Sequence, residues 1–392
     1  MFMAKIENLW LKKCMKGQAN KMQFTDKQKD ALKYVDKWFT EWCTSRKPTK
    51  QIFRVWGYAG TGKSTLARHF ASNIEGEVAF GAFTGKAALV MRKNGCENAR
   101  TIHSMIYIAE QDQKTGEITW RINRQSYLNE VSLIIIDECS MVDEDLAKDL
   151  LSFGKPILVL GDPGQLPPVS GTGFFTEAEP DIMLTEIHRQ AKDNPIIHLA
   201  TIIRNEQMPK LGQYGESRIL NKMTTADLLE ADQVLVGRNT TRESFNTKIR
   251  KLKGFDPDTP VVGDKLICLQ NDRELGIFNG GLFDVEQILQ TTSAKSQFLT
   301  MRVQSQDDER LPFLTRIHKS FFFEDIPTPH WKVLKGSQQY NYGYAITTHK
   351  SQGSQWPTVF ISDESWCFRE SRWKWLYTAV TRASEKVSIV VS

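Results

Sequence analysis

The sequence predicts an α/β protein built around parallel sheets, and three observations carry that prediction. Short apolar runs alternate with helical stretches along the chain. Two of the runs, Val131–Ile136 (broken by Ser132) and Pro156–Leu160, are nearly continuously apolar, as strands covered on both faces are. The length of 392 residues supplies about two to three domains and sizeable cores without disulfides.

The elements follow in order. From Phe24 to Trp42 the positions Ala31, Leu32, Val35, Trp38, Phe39 and Trp42 recur at helical spacing, with Thr25 or Asp26 as the N-cap. Ile52–Trp56 reads as a strand, followed by a Gly-rich loop and a helix from about Ser64. Val78–Phe83 reads as the next strand, with a helix starting near Lys86. Residues 105–130 break the rhythm: a turn at Asp112–Gly116 followed by Glu117–Trp120 predicts an inserted β-hairpin. A second α/β block begins after His188, with strands at Val234–Val236, Thr358–Ile361 and Ser388–Val391. Between its strands, over about 263–340, short strands and the turn Asn279-Gly280-Gly281 predict a small all-β insert.

Composition narrows the function classes. Hydrophobic residues are 40% and charged residues 25%, which excludes a mainly disordered chain and a coiled-coil rod. No stretch approaches the ~18 uncharged apolar residues that a spanning helix needs. The start lacks the apolar core of a secretion signal, so the expectation is an intracellular protein with no membrane partner. Cys14, Cys43, Cys96, Cys139, Cys268 and Cys367 form no CxxC pair, so a reduced compartment without a zinc site is expected. The net charge of +5 is uneven: residues 1–50 hold 12 Lys/Arg against 5 Asp/Glu, leaving −2 for the other 342. Such a basic head either attracts a polyanion or is a solvated tail.

Chemistry enters with Gly57-Tyr58-Ala59-Gly60-Thr61-Gly62-Lys63-Ser64, which fits G-x-x-x-x-G-K-[ST] between a strand and a helix. Chance produces such a match in roughly one chain of this length in 70, so a phosphate loop outweighs an ordinary Gly-rich turn. Its backbone N–H groups would wrap phosphates, Lys63 would neutralise β/γ oxygens and Ser64 would hold Mg²⁺. Leu133–Ile136 then delivers Asp137 and Glu138 at a strand end, one toward Mg²⁺ and the other toward the attacking water. The two motifs together predict an NTPase and leave the use of its energy open. Three further segments narrow that use. Gln165 follows a third strand and can reach a γ-phosphate or its water. Arg189 lies where the two blocks meet, and Arg382 lies in the second.

At this point the chain resembles a superfamily 1 helicase, in the RecD/Dda-type branch that moves 5′→3′ on DNA. Phe24-Thr25-Asp26-Lys27-Gln28 is similar to the adenine-reading Q motif, Ala82–Ala88 to motif Ia and Thr101–Ser104 to motif Ib. The Asp137-Glu138 run is similar to motif II, and Gly161–Val169 to motif III. Gly343–Ser354 resembles motif V, and Tyr377–Ala383 motif VI.

The resemblance implies two RecA-like domains, with a pin hairpin inserted in the first and an SH3-like β insert in the second. The divisions are a basic segment 1–23, a first domain 24–104 and 131–188 with the pin at 105–130, and a second domain 189–262 and 341–392 with the insert at 263–340. ATP and Mg²⁺ are the implied cofactors. Lys63, Glu138, Gln165, Arg189 and Arg382 are the implied catalytic residues, Arg189 and Arg382 as arginine fingers. Gln28, Gly57, Ala59, Gly60, Thr61, Gly62, Lys63, Ser64 and Thr65 would hold the nucleotide, and Ser64 and Asp137 the metal. Phe83, Thr84, Lys86, His103, Thr348 and Lys350 would touch nucleic acid. Trp366, Trp373 and Trp375 are expected to pack in the core or an interface instead. The partners implied are single-stranded DNA and single/double-strand junctions, with replication or recombination proteins, acting as a monomer. The competing reading is a nucleic-acid-stimulated ATPase that remodels nucleoprotein, or acts on RNA, without processive unwinding.

Overall fold

The computed structural model describes residues 24–391 apart from 49, 112–117, 168–172, 187–192, 256–258, 273–274, 290–295 and 324–325. Arg189 and the basic head at residues 1–23 therefore lie outside the described residues, as does the predicted turn of the hairpin.

The first block opens with α1 (Asp26–Thr44) and strand β1 (Ile52–Gly57), followed by α2 (Lys63–Ala71) and β2 (Val78–Ala82). Next come α3 (Gly85–Lys93), β3 (Arg100–Thr101) and α4 (Ile102–Ile106). After an antiparallel pair, β4 (Tyr107–Gln111) and β5 (Ile118–Ile122), the block closes with β6 (Leu133–Asp137), α5 (Glu144–Leu151), β7 (Ile157–Gly161) and β8 (Ile182–Leu184). Six strands form one parallel sheet in the order β3-β2-β6-β7-β1-β8.

The apolar runs have a direct cause. Along β6, Ile134 and Ile136 pack beneath α4 and α5, with Ile102, Met105 and Leu146. The alternate residues Leu133 and Ile135 pack on the other face with Ala31, Val35, Leu66 and Phe70 from α1 and α2. Both faces are dry, so Leu133–Ile136 is apolar throughout, up to Asp137 at the strand's end. Thr25 closes a capping box with Gln28 at the start of α1, in agreement with the sequence.

The second block carries α6 (Pro195–Arg204), β9 (Gly212–Tyr214), β10 (Ser217–Leu220), α7 (Thr225–Glu230), β11 (Gln233–Val236) and α8 (Asn239–Leu252). It is interrupted by β12 (Lys265–Cys268), β13 (Leu282–Leu289), β14 (Phe298–Ser305), β15 (Phe313–His318), α9 (Trp331–Leu334) and β16 (Tyr340–Tyr342). It resumes with β17 (Ala345–Thr347), β18 (Trp356–Ser362), α10 (Arg372–Val380) and β19 (Ala383–Val390). The sheet order is β17-β11-β18-β19-β10-β9, parallel except for β9. The interruption is a five-stranded antiparallel sheet with its own core of Leu266, Phe283, Val285, Met301 and Tyr340. Its last strand, β16, runs to Tyr342, two residues beyond the sequence boundary at 340, because it pairs with β12.

At the root of this insert Arg250 and Asp264 form a fully buried ion pair at 2.9 Å. Among the described residues, no helix is long and apolar enough to cross a membrane.

Candidate active site and nucleic-acid face

The phosphate loop is shaped by its glycines. Gly60 and Gly62 both have φ 77°, a left-handed conformation that costs any other residue energy. A Cβ on Gly62 would also lie 2.7 Å from the Gln28 amide. Gly62 caps α2 with no side-chain acceptor, so the first N–H groups of that helix are left for an anion.

Around the loop lies a cavity of about 290 Å³ to which both blocks contribute. The first block presents Lys63, Ser64, Asp137, Glu138, Asp162 and Gln165, and the second presents Gly353, Ser354, Thr381 and Arg382. Lys63 Nζ donates to its own loop, to Gly57 O at 2.5 Å and Tyr58 O at 3.1 Å. Ser64 Oγ donates to Asp137 Oδ2 at 2.5 Å. Burial, reinforced by the neighbouring Glu138 carboxylate, pushes the Asp137 carboxyl up. Glu138 itself sits at φ 52°, ψ 46°. A non-glycine residue in that region stores of order 1–3 kcal/mol, and such strain concentrates at functional sites.

Arg382 is 5% exposed and, among the described residues, donates to neutral acceptors: Thr378 O, Ser354 O and Thr381 Oγ1, at 3.1 to 3.2 Å. Its charge thus remains available to an anion in the cavity. Gln165 Oε1 is buried at the same place without a hydrogen-bond partner among the described residues. Thr65 lies one position further along α2, where its hydroxyl accepts from Arg68 at 3.3 Å.

Gln28 differs from the sequence expectation. Its amide nitrogen donates to Thr61 O at 2.8 Å and its oxygen accepts from Thr25 N at 2.9 Å. Both ends of the side chain are occupied, so here it braces the phosphate loop and caps α1.

Tyr377 and Gln352, within the motif VI and motif V segments, make cross-block contacts that those motifs did not indicate. Tyr377, on α10, donates its hydroxyl to Asp162 and accepts from Ala59 N of the phosphate loop. The Gln352 amide donates to Leu166 O at 3.0 Å.

The residues expected to touch nucleic acid are distributed unevenly. Phe83 and Thr84 follow the end of β2, and Thr84 caps α3 by accepting from Ala87 N at 3.1 Å. His103 follows β3, and burial lowers its pKa. The rings of Phe83, His103, Tyr107 and Trp120 form a chain with centroid spacings of 5.8 to 6.2 Å. That chain runs from the end of β2 onto the hairpin, where Tyr107 donates to Asp149 of α5 at 2.5 Å.

Lys86 departs from its expected role. It is 7% exposed, pairs with Asp307 of the β insert at 3.2 Å and lies 4.8 Å from the Trp356 ring centroid. Burial lowers its pKa while Asp307 pulls it back up. Its ammonium is committed to the Asp307 carboxylate and the Trp356 ring. Thr348 is fully buried, its N–H donating to Val236 O, so it too offers little to a polymer. Lys350 is exposed. Of the tryptophans expected to pack inside, Trp375 is fully buried and Trp373 partly so, but Trp366 is 55% exposed.

Residues 40–225 match the family profile described as "AAA domain", and residues 342–390 the one described as "UvrD-like helicase C-terminal domain". The ATP-dependent RecD2 DNA helicase of Deinococcus radiodurans is 29% identical over 84% of this chain, which spans 45% of that protein's length. The ATP-dependent DNA helicase Pif1 of Bdellovibrio bacteriovorus is 23% identical, with 83% and 80% of the two chains covered. Among solved structures, Bacteroides Pif1 bound to single-stranded DNA superposes with a TM-score of 0.56 at 18% identity, covering 94% and 92% of the two chains. The Pif1 helicase of Candida albicans gives 0.54 at 18% identity, with 95% of each chain covered. These structures share the fold. The two profiles and these relatives make the chain similar to the RecD2 and Pif1 helicases.

Proposed function

We propose that this chain is an ATP-dependent DNA helicase that translocates 5′→3′ on single-stranded DNA and unwinds duplex as it moves. The observation that carries the reading is the cavity at the phosphate loop, whose walls come from two separate parallel-sheet blocks. A site assembled across two bodies couples hydrolysis to their relative motion, which a single-block kinase site does not.

ATP would lie with its phosphates on the N-terminus of α2. Lys63 then exchanges its loop carbonyls for β/γ oxygens, and Glu138 accepts a proton from the attacking water. Arg382 turns from neutral acceptors to the γ-phosphate as the blocks close, and Arg189 is assigned the companion role by resemblance. Ser64 and Asp137 suit a Mg²⁺ ion: both offer hard oxygen donors, already 2.5 Å apart, beside clustered negative charge. When bound, Mg²⁺ would neutralise phosphate charge.

Single-stranded DNA would cross the ends of the parallel strands, touching Phe83, Thr84, His103 and Lys350. The antiparallel pair β4–β5 would act as the pin that blocks the duplex, and the five-stranded sheet is the SH3-like insert. Intracellular action on junctions, alongside replication or recombination proteins, follows from the same reading.

The experiment compares ATP turnover with and without single-stranded DNA for the wild type, Lys63→Ala and Arg382→Ala. Strong stimulation in the wild type and its loss in both variants are expected. Turnover indifferent to DNA would contradict the reading.

A further inference from the structure

Three neighbouring strands of the second sheet, β17, β11 and β18, end at Thr347, Val236 and Ser362. Ligands of parallel α/β sheets bind beyond such carboxyl ends. The segments that follow these three ends meet there.

After β11, the N–H groups of Gly237 and Arg238 donate to Glu364 Oε2 at 2.8 and 3.0 Å. The Arg238 guanidinium and the Thr241 hydroxyl hold the other oxygen, at 2.8 and 2.7 Å. Fixed in this way, the guanidinium stands 5.4 Å from the centroid of the Trp366 ring.

After β18, the short helical segment Ser365–Ser371 is broken at Arg369, whose φ of 44° is strained for an arginine. Two aromatic side chains of this segment diverge. Phe368 turns inward, stacking on Trp375 at 5.5 Å and contacting His349 at 5.5 Å. Trp366 remains 55% exposed.

After β17 comes Lys350, which has no carboxylate partner among the described residues. Lys350 is exposed, and the like charge of Arg242 stands nearby.

An exposed indole backed by a fixed guanidinium offers a flat face to any base, and the Lys350 ammonium, beyond the end of a strand of the same sheet, suits a phosphate. We infer that Trp366 is a base-stacking platform for single-stranded nucleic acid, backed by Arg238 and flanked by Lys350 as a phosphate contact. The inference rests on the single-strand reading above and extends it to a residue outside the helicase motifs.

The test measures binding of a fluorescent oligo-dT and of an abasic sugar-phosphate strand of equal length, without nucleotide. Trp366→Ala is expected to weaken oligo-dT binding about 5-fold or more and to leave the abasic strand unchanged. Trp366→Phe, which keeps a ring, is expected to recover part of the loss. Lys350→Ala is expected to weaken both strands alike, since phosphate is common to them. A Trp366→Ala protein that binds oligo-dT as the wild type does, or that loses both strands equally, overturns the platform while leaving the helicase reading in place. Wild-type protein that binds neither strand overturns the single-strand reading and the platform with it.

Discussion

The Tyr377 hydroxyl donates to Asp162 Oδ2 at 2.7 Å and accepts the Ala59 N–H at 2.9 Å. One side chain of the second block thus bridges the phosphate loop and the end of the strand beside it. Asp162 is buried, and desolvation pushes its carboxyl up while Lys63 and Tyr377 oppose that shift. Tyr377→Phe would strand a buried carboxylate oxygen and a loop N–H. An unsatisfied buried group costs about 1–3 kcal/mol. A loss of about 2 kcal/mol in urea unfolding is expected, with DNA stimulation of ATP turnover reduced several-fold. Unchanged stimulation would make Tyr377 a packing residue only.

The arginine prediction concerns chemistry rather than folding. Arg382→Ala is expected to lower DNA-stimulated hydrolysis on the order of 10³-fold, as finger arginines do. Nucleotide affinity should change far less, because the loop and Lys63 remain. Equilibrium binding of a fluorescent ADP analogue alongside steady-state turnover separates the two effects.

Lys86 and Asp307 form a pair across two domains, with side chains 9% and 15% exposed. Removing one partner of a buried pair leaves an uncompensated charge, worth about 3–5 kcal/mol. Lys86→Met alone should therefore destabilise strongly, whereas Lys86→Met with Asp307→Leu should recover much of the loss. Chemical unfolding of the two variants checks this. Equal destabilisation would show that the cost lies in packing.

Lys265 gives a pH signature. Burial pulls its pKa down to about 8, against the opposing pull of Asp284 and Asp232. The unfolded chain holds this proton up to about 10.4. Between these values the unfolded state binds more protons at Lys265, so its own contribution should rise as pH increases from about 8 toward 10.4, while the buried Cys139 and Cys268 thiols, raised by desolvation, pull the other way. Lys86, whose pKa is also lowered, contributes with the same sign. In Lys265→Met the rise should shrink, as measured by unfolding free energy across that pH range.

Replacing residues 111–119 with a short turn should leave DNA-stimulated ATP turnover nearly intact and sharply reduce strand separation. The hairpin stands at the end of the Phe83–His103–Tyr107–Trp120 ring chain, away from the phosphate loop. Each base-pair step costs roughly 1.4 kcal/mol to open; a rigid ribbon only has to block the duplex while the strand is pulled past. Unwinding per ATP is the quantity to compare.

What could be read in the sequence divides along a physical line. The phosphate loop, the carboxylates after β6 and the two-faced strands are local: each needs particular residues at fixed spacing, so they stand out without any structure. The Tyr377–Asp162 bond joins residues 215 apart in sequence, and no local pattern marks it. Lys86 looked like a phosphate contact because its motif is local, yet its ammonium is claimed by a domain inserted far downstream. Trp366 read as a packing residue like Trp373 and Trp375, yet in the structure Phe368 takes the inward place against Trp375 and Trp366 stays outside.

The central claim is that this two-block ATP site drives movement along one DNA strand with a fixed direction. It is tested most directly by ATP-dependent unwinding of two duplexes, identical except for a single-stranded tail at the 5′ or the 3′ end of the loading strand. The account predicts strand separation on the 5′-tailed duplex, none on the 3′-tailed one, and none on either with Lys63→Ala. Unwinding from the 3′ tail would contradict the direction, and failure on both despite DNA-stimulated hydrolysis would contradict the helicase.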